Sequence, residues 1–235
     1  WLTGALVVLF IPLGLPWLMR HLFQTTALDP STDHWIAQLM NASGLKRTKA
    51  VRWDTGGRTF YALVAGFVPP LRTLLISDRL ADELPRQQLA MVVLHEAAHL
   101  RRRHVPLRML AVLPAWAGGA AVARILGDVS WAVPTGTAIG IALTMLILRV
   151  VAYRTEYDAD VTACRLAAEL SSHVDDVPAT YDLAAAALSA ALHRVTRDHP
   201  PSRKATWLHP GVDDRVVWMR RQRDTPNASS SEAGT

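Results

Sequence analysis

Cysteine is almost absent, with Cys164 the only one in 235 residues. That excludes an internal disulfide, fits a reducing compartment, and leaves a small core residue on a helix as the expected role of the thiol. Lysine is nearly as scarce: Lys46, Lys49 and Lys204 stand against many arginines, a bias read as genomic and not functional. The net charge of +5 and pI near 9.9 invite a nucleic-acid reading. No RNA- or DNA-binding motif accompanies the basic residues, so nucleic acid is not an expected partner. Signal-peptide features are also missing around the first apolar run, Leu2–Met19, which has no basic stretch before it and no A-x-A site after it. It reads as a membrane anchor, spanning 1–20. The chain opens inside this run at Trp1 without a methionine, and an earlier membrane segment is expected before it.

What the chain has in quantity is apolar sequence. Hydrophobic residues make up 50% and the mean hydropathy is +0.14, concentrated in Leu2–Met19, Met109–Ala123 and Val129–Leu148. The first and third approach the roughly 20 residues of a spanning helix. The second reaches that length only if Arg108 and Arg124 snorkel, with a buried or re-entrant helix as its alternative. Arg101, Arg102, Arg103 and Arg108 crowd one end of the second block, and Arg149 and Arg154 flank the far end of the third. The turn between the blocks, Gly127–Asp128–Val129–Ser130, carries an acid. This is the charge asymmetry of a helical hairpin with both ends on the cytoplasmic side, Arg124 alone dissenting. Gly136-x-x-x-Gly140 offers a close-approach face for a neighbouring helix.

The chemistry concentrates in Leu94–His95–Glu96–Ala97–Ala98–His99–Leu100. On a helix His95 and His99 share one face, so both imidazoles reach one metal ion, while Glu96 stands aside and can take a proton from water on that ion. This is the pattern of a zinc peptidase. The competing reading is a chance H-E-x-x-H on a solvated face. The unbroken apolar run Leu89–Leu94 argues instead for a buried helix, where charged groups need partners and a metal supplies one.

A catalytic zinc takes a third protein ligand and leaves one position open, whereas a structural site would be expected to take four. A histidine six residues after His99 would fall on Val105, and the glycine of the H-E-x-x-H-x-x-G-x-x-H pattern would fall on Arg102, so that arrangement is excluded. His104 is one residue out of place and reads as a helix-end cap. The alternative is a glutamate on a later helix, and between His99 and the polar tail only Glu156 and Glu169 qualify. Glu156 has Asp160 one turn further along the same face. Glu156 can therefore bind the metal while Asp160 accepts a hydrogen bond from a ligating histidine. A solvated acidic helix face is the alternative reading of this pair.

H-E-x-x-H, two apolar helices and then E-x-x-x-D resembles the integral-membrane zinc endopeptidases that include HtpX and the CAAX prenyl proteases. His209–Pro210–Gly211–Val212–Asp213–Asp214–Arg215 is similar to the H-P-x-x-x-x-R stretch near the end of that family's catalytic domain. The resemblance spans about Leu71 to Arg221. It implies one zinc ion on His95, His99 and Glu156, Glu96 as base, Asp160 behind the ligands, and His209 and Arg215 near the substrate carbonyl. It also implies a polypeptide substrate, a bilayer setting with the site facing the cytoplasm, and an HtpX-like role in clearing misassembled membrane proteins. A CAAX-type prenyl protease, or a membrane sensor or scaffold with a regulatory metal site, are the alternatives.

The fold expected is mainly α with a small β-sheet, a multi-pass membrane relative of the zincin metalloproteases. Residues 21–104 hold the sheet and the H-E-x-x-H helix, 105–151 the hairpin, 152–223 the rest of the catalytic domain, and 224–235 a disordered tail. Asp29–Pro30–Ser31 starts a helix that ends near Gly44. Strands are expected at Ala50–Trp53 and Thr59–Ala65 around a hairpin turn at Asp54–Gly57, and again at Leu71–Ser77, the candidate edge for binding an extended substrate, with an internal strand as its alternative. Pro85 opens the helix that runs to about Arg103, and Pro178–Val195 forms a core helix.

Overall fold

The computed structural model describes residues 22–66, 69–198 and 200–223. The anchor expected at Leu2–Met19 and the tail from Asp224 lie outside the described residues. The first helix, α1 (Pro30–Ala42), begins where Asp29 Oδ1 accepts from the Thr32 N–H at 2.9 Å and Pro30 takes a position needing no donor. A short strand not expected from the sequence, β1 (Thr25–Thr26), comes first, and three strands follow the expected segments with shifted bounds: β2 (Lys49–Trp53), β3 (Ala62–Ala65) and β4 (Thr73–Ser77). Their order in the sheet is β1-β2-β4-β3.

That order corrects two expectations. Strands β2 and β3 do not form a hairpin, because β4 lies between them, parallel to β2 and antiparallel to β3. Leu71–Ser77 is therefore no edge: every residue of β4 is buried, and the edge beside the H-E-x-x-H helix is β3. An interior strand must be apolar on both faces, and Leu74–Leu75–Ile76 supplies that.

The turn at 54–57 is held by an acid and not by a paired strand. Asp78, the first residue of α2 (Asp78–Glu83), accepts from Thr55 Oγ1 at 2.5 Å and from the N–H groups of Gly57 and Arg79 at 2.8 Å and Thr55 at 3.2 Å. Burial works against its charge, but these hydrogen bonds outweigh it and hold the carboxyl well below its ordinary range. Because the folded pKa lies below the unfolded value near 3.9, the stabilisation is fully present above about pH 4 and fades as pH falls through the folded pKa. Asp78→Ala leaves those donors unmatched and is expected to cost about 1–3 kcal/mol at pH 7. Urea unfolding checks this, and the gap between wild type and variant should close on acidification below pH 4.

Helix α3 (Arg86–Arg101) carries the H-E-x-x-H sequence and packs in the middle of the molecule, with Leu89, Ala90, Met91, Val93, Leu94, Ala97 and Ala98 all buried. Around it lie the sheet, α1, the later part of the long helix and α7 (Tyr181–Val195). Pro85 stands just before the helix as its N-cap. The chain breaks at Arg103, which adopts a left-handed conformation (φ 55°), and turns into α4 (His104–Leu110), α5 (Leu113–Leu126) and α6 (Ala132–Leu170).

His104–Leu126 and Ala132–Leu170 are long and apolar enough to cross a membrane. Their faces leave Trp116, Ile125, Trp131, Val133 and Leu146 exposed, which suits lipid better than water. The two legs touch through glycine: a Cβ on Gly119 would lie 2.4 Å from the Gly136 carbonyl oxygen, so the expected close approach at Gly136 is made with Gly119. At 39 residues α6 is about 58 Å long, nearly twice the roughly 30 Å of a bilayer's hydrocarbon core. Its second half projects into the compact domain and delivers Glu156 and Asp160 to α3. The chain closes with α8 (Val212–Arg221), which brings Arg215 and Met219 into the same core.

Candidate metal centre

His95 and His99 project from one face of α3 toward Glu156 of α6. The two Nε2 atoms are 3.2 Å apart, His99 Nε2 lies 3.4 Å from Glu156 Oε1, and His95 Nε2 lies 3.6 Å from Glu156 Oε2. Two ligands about 2.0–2.1 Å from one tetrahedral zinc stand about 3.3 Å apart, so the three separations fit one ion. The donor set fits as well: two imidazoles and a carboxylate, with His95 and Glu156 buried and His99 half-buried. Of the described residues, this is the one group of at least three His, Cys, Asp or Glu side chains arranged to hold a metal.

The remaining polar atoms of these three side chains are engaged. His95 Nδ1–H donates to Asp160 Oδ1 at 2.9 Å, which turns Nε2 toward the common point. Asp160 is fully buried and is gripped in turn by Arg215, Nε to Oδ2 at 2.8 Å and Nη2 to Oδ1 at 2.6 Å. Arg215 turns its Nη1 edge toward Glu156 Oε2, 3.9 Å away. His209 stands more in solvent, its Nδ1 3.4 Å from the same oxygen. Arg108, expected to snorkel, reaches Glu156 Oε1 at 3.0 Å and Thr155 Oγ1 from the opposite side. Sequence reasoning gave it no place here, and only its position one turn into the hairpin hinted at it.

Burial disfavours a charged imidazole at both histidines. At His99 the neighbouring His95 adds to it, and the pKa is pushed down to about 2. At His95 burial is outweighed by Asp160 and Glu156, and the pKa rises to about 9. The two Nε2 atoms face one another, and a divalent cation bound between them would displace any proton held there. Glu96, half-buried beside them, has its carboxyl raised by burial above its ordinary range. The nearby Val64 backbone of β3 acts weakly in the opposite sense, so the carboxylate stands beside the edge strand.

His104, expected as a helix-end cap, is corrected: it is buried against His99, Nδ1 to Nδ1 at 2.9 Å. The left-handed turn at Arg103 folds it back, and its spacing of five from His99 was the only sign in the sequence. Next to the centre lies a cavity of about 380 Å³. Phe60, Leu80, Val92, Leu188, Leu192 and Val195 line its apolar part, and Glu96, His95, Glu156, His209 and Arg215 its polar end.

A two-histidine, one-glutamate centre on crossing helices beneath a small sheet defines the zincin class of metallopeptidase sites. The profile of peptidase family M48 matches residues 27–219, and the chain belongs to that family. This bears out the resemblance drawn from H-E-x-x-H, E-x-x-x-D and H-P-x-x-x-x-R. Among solved structures, the crystal structure of S. mikatae Ste24p superposes with a TM-score of 0.64 at 17% identity, over 91% of this chain and 55% of that one. The fold is thus shared, while this chain spans about half the length of that protein. A search of curated protein sequences found no match.

Proposed function

We propose that this chain is a membrane-bound zinc metalloendopeptidase. The observation that carries the proposal is the convergence of His95, His99 and Glu156 on one point, with Glu96 beside them at the mouth of a cavity. Membership of family M48 supports it.

A zinc ion on His95, His99 and Glu156 would supply a Lewis acid that polarises a water and the scissile carbonyl. Glu96 takes the proton of the attacking water and returns it to the leaving amine. Its raised pKa suits both halves of that task. His209, exposed and close to Glu156, and the Nη1 edge of Arg215 donate to the carbonyl oxygen as negative charge develops on it. Asp160 fixes the ring of His95 and is itself fixed by Arg215.

The substrate is an extended polypeptide lying along β3, the edge strand packed beside the helix that carries Glu96. The neighbouring cavity accepts one apolar side chain from it. The hairpin of α5 and the first half of α6 is embedded in the bilayer, and the arginines at its ends support a site on the cytoplasmic surface. This setting suits HtpX-like removal of damaged or misassembled membrane proteins.

The test is digestion of casein by the purified full chain in detergent, with and without a zinc chelator. Cleavage should need stoichiometric zinc, vanish on chelation, return when zinc is restored, and fall beside apolar side chains. Cleavage that persists unchanged after complete removal of the metal would overturn the proposal.

A further inference from the structure

Behind the metal centre, on the side away from the cavity, four side chains form a continuous chain of hydrogen bonds. His99 and His104 meet Nδ1 to Nδ1 at 2.9 Å, and His104 Nε2 lies 2.9 Å from Asp158 Oδ2. Arg102 closes the chain with two bonds to Asp158, Nε to Oδ2 at 2.8 Å and Nη2 to Oδ1 at 3.0 Å. His104 is buried, whereas Asp158 and Arg102 reach the surface.

Only one assignment of protons satisfies every contact with neutral rings. The Asp158 carboxylate can only accept, so His104 carries its proton on Nε2 and presents a lone pair on Nδ1. His99 must then carry its proton on Nδ1 and donate it to His104. That leaves the lone pair of His99 on Nε2, the atom facing His95 and Glu156.

We infer that His104, backed by Asp158 and Arg102, is a positioning residue that fixes the tautomer and ring orientation of His99 as a metal ligand. His95 receives this service from Asp160 directly. Among the described residues the Nδ1 of His99 meets His104 and not a carboxylate, and His104 carries the polarising effect of Asp158 to it through one further ring. A metal-binding histidine whose other nitrogen donates to an acceptor is both oriented and made a better ligand. The helix break at Arg103 thereby acquires a purpose. A left-handed conformation is disfavoured at a residue other than glycine, and here at Arg103 it folds His104 back onto the preceding turn.

The inference rests on the proposed zinc site, and its test is zinc affinity, measured apart from proteolysis. The full chain in detergent is titrated against a chromophoric chelator for wild type, His104→Phe, His104→Gln and Asp158→Asn. Phenylalanine fills the space without either nitrogen and should weaken zinc binding about 10- to 100-fold. Glutamine offers an acceptor to His99 and a donor to Asp158, and should restore most of the loss. Asp158→Asn, altered at a half-exposed position and so a milder disturbance of the fold, should lose about tenfold.

Wild-type affinity in both His104→Phe and Asp158→Asn would overturn the inference. So would a glutamine variant as weak as phenylalanine, which would reduce His104 to packing. Should His104→Phe not fold, the glutamine and Asp158 variants decide alone: near-wild-type affinity in the first and a loss in the second support the chain, and any other pattern removes it. A wild-type chain that binds no zinc would instead overturn the zinc reading itself.

Discussion

Glu96→Gln is expected to cut peptide hydrolysis by roughly 10²–10⁴-fold, the scale of a lost general acid–base group. Zinc content and folding should remain unchanged. Glutamine has the same shape as glutamate and adds no bulk beside β3, so the packing of α3 against the sheet is kept. What disappears is the ability to take a proton from the attacking water. The ligand atoms of His95, His99 and Glu156 are untouched, and their mutual distances of 3.2–3.6 Å do not depend on Glu96. Casein digestion alongside metal analysis separates the two outcomes. A variant that still digests within tenfold of wild type would remove Glu96 from the reaction. One that loses its zinc would mean that the carboxylate serves the metal and not the water.

Much of this site was legible because its parts are local. His95, Glu96 and His99 lie within one turn of helix, and Glu156 and Asp160 lie one turn apart on another. A period of 3.6 residues places such groups with no knowledge of the fold. The continuation of the third apolar block into α6 was legible for the same reason, since nothing between Leu148 and Glu156 breaks a helix. The helix contact at Gly136 could be anticipated, but its partner Gly119 could not, because small residues abound in both apolar blocks.

Sheet order was not legible. Asp54–Thr55–Gly56–Gly57 has the chemistry of a tight turn whichever strand comes next, and what holds it is Asp78, 21 residues beyond Gly57. The five consecutive buried residues of β4 mark an interior strand, but the sequence left edge and interior positions open, because a short apolar run bounded by turns fits both. His104 was hidden by the break before it. Helical spacing stops at Arg102, and the left-handed turn at Arg103 reverses the direction in which the next side chain points.

Arg215 was legible only through resemblance, because its partner Asp160 is 55 residues away. Its removal carries the largest expected loss of stability. Asp160 is fully buried, and among the described residues only His95 Nδ1 and the guanidinium hydrogen-bond to it. Arg215→Met replaces the stem but leaves that carboxylate short of its compensating charge, in surroundings where breaking a buried pair costs about 3–5 kcal/mol. For a chain of this size that corresponds to a fall in Tm of roughly 6–20 °C.

The cost comes from the stranded charge, so removing the charge should return part of it. Asp160→Asn combined with Arg215→Met should therefore melt above Arg215→Met alone, although it carries one substitution more. Lysine at 215 keeps a charge without the two-pronged grip on Asp160 and should fall between wild type and Met. Thermal unfolding of the three variants in the same detergent checks the order. A methionine variant melting within 2 °C of wild type would show that Asp160 does not depend on Arg215. The guanidinium would then be free to serve the substrate carbonyl alone, and turnover would fall without any loss of Tm.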